Sequence, residues 1–69
     1  MNIQKLATLP EHDLEKYFSR SIISPKRKGE KFSIVIEGVG RPLYGEDYDE
    51  LWESFLQRVH SERKNVRQQ

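Results

Sequence analysis

The sequence predicts a small α+β domain of order α-β-β-α, an antiparallel hairpin packed against two helices. Three observations carry this. Apolar residues recur with helical spacing over 14–22 and again over 48–59. Between them, "KFSIVIEG" alternates apolar and polar side chains and is rich in β-branched residues. Gly38 and Gly40 then bracket Val39 ahead of a second short apolar stretch, the mark of a tight turn between paired strands.

The first helix is read from "TLPEHDLEKYFSRSI". Thr8 and Glu11 stand at capping-box spacing, where hydroxyl and carboxylate satisfy first-turn amides reciprocally. Pro10 is tolerated there because its missing N–H would have no intrahelical partner. Leu14, Tyr17, Phe18, Ser21 and Ile22 form one stripe, and Pro25 pushes Ser24 out of the helical region and ends the element. Upstream, Ile3, Leu6 and Leu9 share a face of a short extra turn.

In the strand, Phe32, Ile34 and Ile36 alternate with Ser33, Val35 and Glu37. "RPLYG" is the returning strand. Pro42 cannot donate a ladder hydrogen bond, so this strand is short and lies at an edge. The second long helix is the clearest element, with Tyr48, Leu51, Trp52, Phe55, Leu56 and Val59 on an unbroken stripe. Asp47 is its expected N-cap, with Glu50 three residues on. The expected core is Leu14, Phe18, Ile22, Phe32, Ile34, Ile36, Leu51, Trp52, Phe55, Leu56 and Val59. Two strands alone are marginal in water, so either a third strand hides in an irregular segment or the sheet edge pairs with another chain.

Sixty-nine residues make one domain, 1–69, with a marginal core and no Cys for a disulfide or thiolate metal site. No apolar run is long enough for a membrane span, and the first residues lack the apolar region of a signal peptide. A cytoplasmic, non-membrane protein is expected. Net charge is +1, too little for a strongly basic nucleic-acid binder, yet the charge is blocked. Residues 24–31 form a basic, exposed loop carrying Lys26, Arg27, Lys28 and Lys31. Acids crowd 46–53, where they favour the positive end of the second helix's dipole, and Arg63 and Lys64 lie near its negative end. Residues 65–69, with Arg67, read as a frayed tail.

No pattern for an enzyme, a metal or a cofactor emerges. His12 and His60 sit in an acidic first turn and a last helical turn, where solvated roles suffice. The acids at 46–53 are explained by a capped helix start without any ion. The glycines of "GVGRPLYG" lack the spacing and following helix of a phosphate loop. The helix–strands–helix order is shared with double-stranded-RNA-binding domains, but "GEDYDELW" is acidic where those carry a basic helix start. The residues therefore point to a small non-enzymatic module that binds a protein partner and acts by occupying its surface, or that forms a homodimer through a sheet edge. Tyr44 and Tyr48, beside the acids, are candidate hot-spot residues. The alternative is a nucleic-acid-binding accessory protein that meets phosphates through Lys26, Arg27, Lys28 and Lys31 together with Arg63, Lys64 and Arg67.

Overall fold

A computed structural model describes the backbone of residues 1–67 and the side chains of residues 1–64. The elements are α1 (Ile3–Leu6), α2 (Glu11–Ser21), β1 (Phe32–Ile34), β2 (Leu43–Gly45) and α3 (Tyr48–Arg67). The domain is α+β, as expected, with the short extra turn formed as α1. Asn2 caps that turn, its Oδ1 accepting the Lys5 amide at 2.8 Å.

The start of α2 differs from the expected capping box. Thr8 faces backwards and its hydroxyl donates to the Lys5 carbonyl at 2.7 Å. The helix begins at Glu11 with Pro10 at the N-cap and no side-chain cap. The amides of Asp13 and Leu14 both donate to the Pro10 carbonyl. Proline's preset φ and missing N–H let it occupy this position. Asp47 does cap α3: its Oδ1 accepts the Glu50 amide at 2.9 Å and its carbonyl the Leu51 amide at 3.1 Å. The backbone of 65–67 continues α3, while Gln68 and Gln69 lie outside the described residues.

β1 and β2 pair antiparallel in the register Phe32–Gly45, Ser33–Tyr44 and Ile34–Leu43. Val39 donates to the Ile36 carbonyl at 3.3 Å in the turn, and Gly38 and Gly40 take φ of 90° and 93° as the turn demands. The opposite edge of β1 is covered by single residues. Ile23 and Ser33 exchange both backbone hydrogen bonds, at 2.7 and 3.1 Å, and the Ile3 amide donates to the Glu37 carbonyl at 2.8 Å. The irregular third strand is thus two one-residue bridges rather than an element.

The core comprises Ile3, Leu6, Leu14, Phe18, Ile34, Ile36, Leu51, Phe55 and Val59. Ile22, Phe32, Trp52 and Leu56, expected inside, are half-buried at its rim. Ile3 and Leu6 take up that interior space because the Ile3–Glu37 bond draws α1 onto the sheet end and against α3. Phe18 is the aromatic hub, with Phe55, Trp52 and Tyr48 rings 5.0–5.2 Å from its own. Tilted and edge-on rings at such distances are the favoured arrangement.

Candidate protein-interaction face

Among the described residues, helices cover one side of the sheet only. Because side chains alternate along a strand, Ile34 and Ile36 point to the helices while Ser33, Val35 and Glu37 point away. Cross-strand partners share a face, so Ile23, Ser33 and Tyr44 form one row on the helix-free side. Val35 stands one step along from Ser33. Ile23 is 49% exposed, Val35 59% and Tyr44 59%, so three large apolar or aromatic side chains meet solvent on one surface. Apolar side chains that share an uncovered face make it the candidate interaction surface, since large exposed apolar patches mark such sites whereas scattered single residues do not.

The basic loop borders this face. It connects Ile23 to Phe32, so it closes the end of the sheet beside the row. All of residues 24–31 are exposed. The loop is nonetheless ordered by its own contacts: Glu30 Oε2 accepts the Lys26 amide at 3.0 Å, and the Glu30 amide donates to the Arg27 carbonyl at 3.1 Å. Gly29, at φ 91°, permits that turn. Lys26, Arg27 and Lys28 project from it without an acidic side-chain partner among the described residues. Lys31 differs: its Nζ lies 3.2 Å from Glu46 Oε1 across the strands.

The remaining candidate residues are dispersed. Tyr48 turns to the helical layer, edge-on to Phe18 with centroids 5.2 Å apart, and does not join Tyr44. Arg63 is half-buried and donates from Nε to the Ala7 carbonyl at 2.9 Å and from Nη2 to the Leu9 carbonyl at 2.6 Å. It ties the end of α3 to the α1–α2 turn. Lys64 is exposed on the same end, and the Arg67 side chain lies outside the described residues. Glu46 precedes α3 while Arg63 is fifteen residues into it, so the two basic groups are separated by about 23 Å of helix. His12 and His60 are both exposed. Among the described residues no cluster of His, Asp and Glu stands close enough to hold a metal ion, and no helix is long and apolar enough to cross a membrane.

Sequence reasoning passed over Ile23 and Val35. Val35 was legible as an apolar residue on the polar phase of an alternating strand. Ile23 was not, because only its pairing with Ser33 shows that the residue after the α2 cap turns into the sheet. Compared with protein-family models, curated proteins and solved structures, the chain matches none.

Proposed function

We propose that this chain is a non-enzymatic protein-binding module of the cytoplasm that regulates a partner by covering part of its surface with the helix-free side of its sheet. The supporting observation is that Ile23, Val35 and Tyr44 are all exposed on one face of the sheet that no helix covers among the described residues. Burying these side chains against a partner would stabilise a complex by an amount that each contributes at roughly 25 cal/mol per Å² of apolar area. The adjoining Lys26, Arg27 and Lys28 set the chemistry of the partner: an apolar centre flanked by acidic residues. Such charges chiefly steer encounter and orient docking.

A photo-crosslinking residue placed at Val35 and, as control, at the exposed Gln57 of α3 tests the reading in extract from the native cell. The expected result is one specific protein product from position 35 alone, lost when Ile23→Ser and Tyr44→Ser are added. Unchanged thermal unfolding of that variant must accompany the loss. Equal labelling from both positions, or products of nucleic acid, would overturn the proposal. A product of twice the chain mass would identify the partner as a second copy.

A further inference from the structure

The two edges of the hairpin are unlike. The edge of β1 is covered by Ile23 and Ile3, as described above. At β2 the pairing of Ser33 with Ile23 fixes the phase of the ladder: Ser33 directs its amide and carbonyl away from β2, so its partner Tyr44 directs its own away from β1. No strand of this chain lies beyond β2 among the described residues. Beside this open edge runs a cleft lined by Arg41, Pro42, Leu43 and Tyr44 on one wall and by Ser54 and Arg58 of α3 on the other. An edge strand facing a helix across a cleft is the geometry that accepts an added strand from another chain.

The charge in the cleft is asymmetric. Arg41 and Arg58 lie toward the beginning of β2, and neither makes an ion pair among the described residues. Beyond the other end of β2 stand Glu46 and Asp47. Antiparallel addition is the more stable mode per residue and would set the incoming strand's C-terminal end opposite the start of β2. An incoming strand is therefore selected for negative charge at its C-terminal end, where two guanidinium groups can each engage a carboxylate with paired hydrogen bonds.

We infer that the cleft between β2 and α3 binds an extended peptide whose C-terminal end is acidic, adding it antiparallel to β2 through the backbone of Tyr44 and holding its carboxylates with Arg41 and Arg58. The inference rests on the reading of the chain as a protein-binding module, but it uses a different side of the hairpin. Pro42 offers no N–H, so register is set by Tyr44, which supplies both a donor and an acceptor. Leu43 lies on the inner wall of the cleft and would meet the alternate side chains of the guest.

The test is an amide-resolved NMR titration of the chain with a short synthetic peptide that alternates valine and threonine and ends in glutamates. The same peptide ending in lysines is the control. Saturable binding is expected, with the Tyr44 amide shifted and slowed in exchange. Arg41→Ala with Arg58→Ala should weaken binding by about tenfold or more, as expected for charge-assisted bonds. Val35→Glu should leave the affinity unchanged, which separates this cleft from the helix-free face. Equal affinity for the lysine-ended peptide, or shifts confined to the 26–28 loop, would overturn the proposal. So would protection of the Tyr44 amide in the free chain that rises with concentration, since a second copy would then occupy the edge.

Discussion

At the scale of single residues, two positions join parts of the chain that the sequence does not show to be close. Gly45 is buried at the end of β2, and a Cβ built there would lie 2.5 Å from the Leu51 amide nitrogen and 2.8 Å from its Cα. Those are helix backbone atoms and cannot swing aside. Gly45→Ala should therefore force β2 off α3 and destabilise the domain by roughly 1–3 kcal/mol, read as a lower urea midpoint. An unchanged midpoint would mean that strand and helix are less closely seated. Arg63 is the second such position. Arg63→Ala should cost about 1–3 kcal/mol, because two carbonyls lose a charged donor. Arg63→Lys should recover less than half of that, since one ammonium cannot reproduce the two-pronged contact with Ala7 and Leu9. Full recovery in the denaturation curve would show that only its charge matters. Neither role was legible beforehand: a glycine ending a strand and an arginine ending a helix both have ordinary local explanations.

At the scale of elements, legibility followed the strength of the local pattern. The whole apolar stripe of α3 and its Asp47 cap were readable because helical periodicity and cap chemistry are local properties. The stripe did not say how deeply each member lies. Leu51, Phe55 and Val59 are buried, while Trp52 and Leu56 sit on the flank and pack from the rim. The capping box at Thr8 failed for a related reason, since α1 ends just before it and offers the hydroxyl a carbonyl at 2.7 Å. The loop 24–31 is an element with its own turn, and that turn is made by Glu30, Gly29 and backbone groups rather than by its cations. Replacing Lys26, Arg27 and Lys28 together by alanine should then leave stability within about 0.5 kcal/mol of the parent in thermal unfolding. The same change should weaken capture of the partner crosslinked through Val35, more at low salt than at high, because exposed charges are screened over about 10 Å at 0.1 M. A loss of several kcal/mol would instead make the cations part of the turn.

At the scale of the whole molecule, the dimensions explain why a face is left bare. The shortest extent is 18 Å, enough for one sheet and one helical layer at about 10 Å each, while the 20-residue α3 alone runs about 30 Å. Among the described residues the helices form a single layer on one side of the two-stranded sheet, so its other face is left bare, and the apolar content of that face is a property of this sequence. The same shape sets the two basic groups apart, with the acids Glu46, Asp47, Asp49, Glu50 and Glu53 at the start of the helix that separates them. Lys31 is paired with Glu46, and Arg63 already serves two carbonyls. A duplex resting on the loop would thus meet Lys26, Arg27 and Lys28 and then a repulsive surface. Each neutralised phosphate contributes a slope of about −0.9 to log K against log salt, so three contacts permit a slope near −3 at most. Seven cations acting on one surface would approach −6 on the same reasoning. Binding of the chain to a random-sequence DNA duplex, followed by fluorescence anisotropy across a salt series, should be weak and should show the shallower value. A slope clearly steeper than −3 would mean that both ends of α3 reach the same duplex, and the basic loop would then serve nucleic acid rather than the acidic rim of a protein partner.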